Sequence, residues 1–153
     1  MGAATVCLMV GASGAAEAAN CASGFIVDRT VNNVTIDGGS CAIIGATVTG
    51  NIVVTNSAYV AVIGTAVGGG IRVEGSESIS IAMNVVYGRG ILLKDSRDLA
   101  VYDNQVLGGS ILVRGNRRVN LKKNKVGGNI LCNDNRRLDS LLNHAAGEEN
   151  CRD

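Results

Sequence analysis

Aliphatic residues recur along this chain in one fixed order. Ile52, Ile71, Ile91, Ile111 and Ile130 each follow a Gly-rich or polar turn, at steps of 19, 20, 20 and 19 residues. Two positions after each stands another apolar residue: Val54, Val73, Leu93, Val113 and, in the last copy, Cys132. Six further on come Val60, Ile79, Leu99, Val119 and Leu138, then Val62, Ile81, Val101 and Leu121, then Val67, Val86, Val106 and Val126. A degenerate copy runs Val34, Ile36, Cys41, Ile43, Val48. Apolar residues two apart mark strands. Three such short strands in one copy cannot enclose a core alone, whereas stacked copies can, each strand pairing with its equivalents above and below. The pattern predicts an all-β parallel solenoid of about six coils, ~20 residues per coil, on the order of 30 Å tall.

Two polar columns share that register. Thr65, Asn84, Asn104, Asn124 and Asn143 fall at the corner before the third strand, and Ser57, Ser76, Ser96, Asn116 and Asn135 at the corner after the first. Stacked amides and hydroxyls bond along the axis and satisfy corner backbone groups that would otherwise be buried unpaired.

The segment Gly90-Ile91-Leu92-Leu93-Lys94-Asp95-Ser96-Arg97-Asp98-Leu99-Ala100-Val101-Tyr102-Asp103-Asn104, and Ser110 to Asn124 after it, resembles the repeat of the pectate-lyase-like superfamily. The resemblance covers roughly Val31 to Asn143. It implies a right-handed, single-stranded parallel β-helix. The competing left-handed hexapeptide helix of acyltransferases wants coils of about eighteen residues and aliphatics every six, which this spacing fits less well. Fold does not carry function here, because the superfamily spans lyases, hydrolases, phage tail parts and adhesins. None of its catalytic residues transfers to a position of this chain. There is no acidic cluster for Ca²⁺, no facing carboxylate pair for glycoside hydrolysis, and the single His144 lies in the tail. No cofactor, metal site or catalytic residue is expected.

Composition adds a compartment. Pro and Trp are absent and aromatics are 3%, so an aromatic-rich globular core is disfavoured, while 46% hydrophobic against 18% charged residues argues against disorder. Met1–Ala19 contains an apolar stretch (Ala4–Val10) and the small-x-small triplet Ala16-Glu17-Ala18, which reads as a secretory signal lacking its basic start; an ordered capping helix is the rival. Residues 20–143 are then the solenoid domain and 144–153 a C-terminal capping tail. No apolar stretch is long enough to span a membrane. Removing Cys7 with the signal leaves Cys21, Cys41, Cys132 and Cys151, an even number without a CxxC, which favours disulfides over zinc. Cys41 and Cys132 are about five coil steps apart, or roughly 24 Å, too far for a bond that needs Cα atoms within about 7 Å. Cys21 is therefore expected to pair with Cys41, and Cys132 with Cys151, one at each end of an exported protein placed in the secreted, periplasmic or cell-surface space.

The outward positions suggest partners. On the second strand they are small: Ala42, Ala61, Ser80, Ala100, Asn120 and Ser140. On the first strand Val53, Leu92, Leu112 and Leu131 form an apolar column, broken by Arg72, that serves a homo-oligomer or lies under the folded-back tail. Residues 89 to 137 hold eleven basic and four acidic residues, against two and five in residues 1 to 88. In register, Arg97, Arg117 and Arg136 share a corner with Arg118 and Arg137 beside them, and Lys94 and Arg114 share an adjacent edge. Such columns suit an acidic polysaccharide or cell-envelope glycan. Nucleic acid is disfavoured by the net charge of +1 and the lack of a stacking platform. The expected function is an exported structural or carbohydrate-binding module. The alternative is a degenerate polysaccharide lyase or glycoside hydrolase.

Overall fold

A computed structural model of the chain describes residues 16–151. Among them there is no helix, and the strands form three parallel sheets. Sheet 1 stacks β1 (Ala19–Asn20), β4 (Val34–Asp37), β7 (Ile52–Thr55), β10 (Gly70–Glu74), β13 (Gly90–Lys94), β16 (Ser110–Arg114), β19 (Ile130–Asn133) and β22 (Glu149–Asn150). Sheet 2 stacks β2 (Ser23–Val27), β5 (Ser40–Ile44), β8 (Tyr59–Ile63), β11 (Ser78–Ala82), β14 (Asp98–Tyr102), β17 (Arg118–Lys122) and β20 (Leu138–Leu141). Sheet 3 is made of two-residue strands: β3 (Thr30–Val31), β6 (Thr47–Val48), β9 (Ala66–Val67), β12 (Val85–Val86), β15 (Gln105–Val106), β18 (Lys125–Val126) and β21 (His144–Ala145).

Each strand neighbours the one three places along the chain, so the chain winds as a solenoid. It completes seven coils rather than six. The extra coil is the first, β1 to β3. Its anchor position is Ala19, aligned with Val34, where later coils carry Ile, so the aliphatic pattern does not announce it. The signal segment expected over 1–19 and Cys7 fall mostly outside the described residues. The Glu17 carbonyl accepts a bond from the Asn32 N–H at 2.9 Å, and the Ala19 N–H donates to Asn33 at 2.7 Å.

The aliphatic anchors line the interior. Val34, Ile52, Ile71, Ile91, Ile111 and Ile130 stand one above another, each at most 1% exposed. Each such side chain removed from water contributes about 1.5–3 kcal/mol. With so few aromatics, the core is built from this column, the second inward column of sheet 1 (Ile36, Val54, Val73, Leu93 and Val113) and the inward aliphatics of sheets 2 and 3.

Both polar columns form hydrogen-bonded ladders. The backbone N–H groups of Thr65, Asn84, Asn104 and Asn124 donate to the side-chain oxygens of Asn84, Asn104, Asn124 and Asn143, at 2.9–3.1 Å. The amide of each Asn also donates backwards, Asn104 Nδ2 to the Ile81 carbonyl at 2.8 Å. The other corner runs Ser57 to Ser76 to Ser96 to Asn116 to Asn135 in the same manner. The residue before each rung is left-handed: Asn56, Gly75, Asp95, Gly115 and Asp134 at one corner, Gly64, Met83, Asp103, Lys123 and Leu142 at the other. That turn is why Gly, Asn and Asp precede the rungs so often.

Two details depart from the sequence reading. In β20 Asp139, not Ser140, takes the outward position beside Asn120, while Ser140 sits under the inward Leu121. The expected tail is itself wound onto the stack, with β21 under β18 and β22 under β19. It therefore does not fold over the Val53–Leu131 column. Disulfides join Cys21 to Cys41 (Cα–Cα 5.9 Å) and Cys132 to Cys151 (4.7 Å), one near each end.

Candidate functional site

The basic residues of the last coils project from the corner between sheets 1 and 2. Ladder bonds fix that corner: the Arg117 N–H donates to Ser96 O at 2.9 Å, Arg118 to Arg97 O at 2.7 Å, Arg136 to Asn116 O at 2.9 Å and Arg137 to Arg117 O at 3.0 Å. The result is two adjacent columns, Glu77–Arg97–Arg117–Arg136 and Ser78–Asp98–Arg118–Arg137. Read down the axis, each passes from polar or acidic to basic.

The acidic steps neutralise the basic residues next to them. Arg97 Nη1 lies 3.6 Å from Glu77 Oε1. Arg118 Nη1 lies 3.1 Å from Asp98 Oδ1, an oxygen closed off from solvent that makes no hydrogen bond. Among the described residues Arg117, Arg136 and Arg137 meet no carboxylate. Together with Arg118 they line an open groove of ≈ 270 Å³. Guanidinium groups a coil step apart repel one another, and in water-like surroundings each pair costs about 1 kcal/mol or less. An anion lying between them removes that cost and gains forked hydrogen bonds.

Lys94 and Arg114 occupy neighbouring positions of sheet 1, as the register required, but differ in state. Lys94 Nζ is 3.0 Å from Glu74 Oε1 and 3.0 Å from Asp95 Oδ2. Hydrogen bonding to Glu74, then to Asp95, raises its pKa above the ordinary 10.5. Bonds from Arg72 and Lys94 lower that of Glu74 below 4.5. Lys94 is thus engaged within its own surface network, while Arg114 forms no ion pair among the described residues. Sequence reasoning named the basic residues but not these acid partners. Aligning Glu74, Glu77 and Asp98 in the same columns exposes them.

The other expected elements can be placed. Val53, Leu92, Leu112 and Leu131 form a continuous register column with Arg72 between Val53 and Leu92. All are partly exposed, Leu112 the most at 38%. His144 lies on the surface beside Lys125 in sheet 3. Among the described residues no three His, Cys, Asp or Glu side chains converge to hold a metal ion.

These features define a class: an all-β parallel solenoid with laddered corners and a disulfide near each end. Comparison with protein-family models, curated proteins and solved structures finds no match. Two disulfides fit an oxidising environment.

Proposed function

We propose that this protein is an exported, non-catalytic binding module that holds acidic polysaccharide on the arginines of its last two coils. One observation carries the reading: four arginines line one groove, and three of them have no acid partner among the described residues. Arg is the side chain suited to this, since its planar fork takes a carboxylate or sulfate two bonds at a time. The groove is open rather than deep, which suits an extended chain lying across the corner. Export is supported by the disulfides and by the Ala-rich start of the sequence, and a pectate-lyase-like ancestry by the repeat pattern.

The test is retention on immobilised acidic and neutral polysaccharides at low and high salt, with product length followed in the same samples. The expected result is salt-sensitive retention on acidic polymers alone, with the polymer left intact. Replacing Arg117, Arg118, Arg136 and Arg137 by Ser should abolish retention without changing the melting temperature. Equal retention of the fourfold variant, or no retention of the parent, overturns the proposal. Shortening of the polymer would establish the lyase or hydrolase alternative instead.

A further inference from the structure

The chain has four aromatic residues, and three of them, Phe25, Tyr59 and Tyr102, point outward from sheet 2. Phe25 is 74% exposed. Through the first five coils the outward positions of this sheet carry no charge except Asp98 at one edge. Its strands pair in continuous register, so the outward positions form three unbroken columns.

Its relief is not uniform. Along one column Val27, Ile44, Ile63, Ala82 and Tyr102 succeed one another. Ala82 is the smallest side chain of that column, and its larger neighbours cover it from solvent. In the neighbouring column the large Phe25 stands at one end and the small Ala100 at the other.

We propose that sheet 2 docks against sheet 2 of a second copy, antiparallel, about a two-fold axis lying along β8. Rotation about that axis exchanges the first coil with the fifth and the second with the fourth. Ile44 of each copy then lies opposite Ala82 of the other, Phe25 opposite Ala100, and Ile63 meets its own equivalent. The apolar column meets an apolar column, with Val27 opposite Tyr102 and Tyr59 opposite its own equivalent, so the same patch serves both copies as a two-fold interface requires.

Charge selects the same orientation. A parallel pairing would set Arg118, Lys122 and Arg137 of the two copies side by side. The antiparallel one carries them to opposite ends, beyond the contact. The column on sheet 1 is less suited, since Arg72 interrupts it and Glu74, Lys94 and Arg114 flank it. Five strands about 4.8 Å apart and five residues wide give a contact of roughly 400 Å² per copy, about 800 Å² in all. That is below the standard size of a stable interface, so the dimer is reversible, with a dissociation constant in the micromolar range or weaker.

Sedimentation velocity on the purified chain, from about 1 µM to about 1 mM, reads this directly. The parent should shift from monomer to dimer across that range. A two-fold contact uses each residue twice, so a change worth tenfold per copy weakens the dimer about 100-fold. Ile63→Lys, which sets two ammonium groups against each other, should do at least that. Phe25→Lys, at a position too exposed to matter for folding, should do the same, and both should keep the parent's melting temperature. Leu112→Lys on sheet 1 should leave the dimer intact. A parent that stays monomeric throughout overturns the proposal, as does a dimer lost with Leu112→Lys but kept with Ile63→Lys and Phe25→Lys.

Discussion

A single rung shows what the ladders are worth. Asn104 accepts bonds from the Asn84 N–H (3.1 Å) and Asn84 Nδ2 (3.0 Å) and donates to the Ile81 and Asn124 oxygens (2.8 and 2.9 Å). It is 2% exposed, so water cannot replace what is lost. Asn104→Ala should cost about 3 kcal/mol, because an unpaired buried group costs about 1–3 kcal/mol and more than one is stranded. Chemical denaturation would measure this against Arg117→Ser, which should change stability by less than about 0.5 kcal/mol. Met83 shows the opposite case. It holds a left-handed corner at φ 55° with a largely exposed side chain, where most equivalent residues are Gly, Asp or Lys. Met83→Gly should raise stability by about 1 kcal/mol, seen as a higher melting temperature, since glycine takes that conformation without steric cost.

At the scale of the coil, most of the architecture was legible in the residues. Ile or Val at six of the anchors and Asn, Ser or Thr at the corners repeat with one period, so strands, register and ladders could be read without coordinates. The first coil could not, because Ala19 and Asn20 carry too little hydrophobicity to mark a strand whose bonds come from its neighbour. The acid partners of Arg97 and Arg118 lie one coil earlier and required alignment of charges as well as aliphatics. The face of sheet 2 was harder still, since Phe25, Tyr59 and Tyr102 occupy three columns in three coils and converge only once the first coil is in place. Because each coil touches only its neighbours, damage at an end should stay local. Replacing Cys132 and Cys151 by Ser removes a constraint worth about 3 kcal/mol for a ring of this size. Hydrogen exchange should then quicken over residues 130–151 while the amides of β8, β11 and β14 keep their protection. Uniform loss of protection would show that the stack melts as one unit.

For the whole molecule, the distribution of charge along the axis matters more than its sum. The net charge is +1, yet the basic residues gather in the later coils and leave the earlier half slightly acidic. An antiparallel dimer would carry an arginine groove at each end, and one polymer bound at both gains affinity through tethering without new contacts. The position of the disulfides has a mechanical meaning as well. β1 and β22 lie at opposite edges of sheet 1, so tension on the chain ends runs along the stack. A spool without cross-links yields at its ends, releasing about 65 Å of thread with each turn. Here the outermost turns are closed rings spanning 20 and 19 residues, and they cannot be drawn out while their bonds hold. Yielding must begin inside the two rings, so the molecule resists a pull at its ends, where an ordinary solenoid would be weakest.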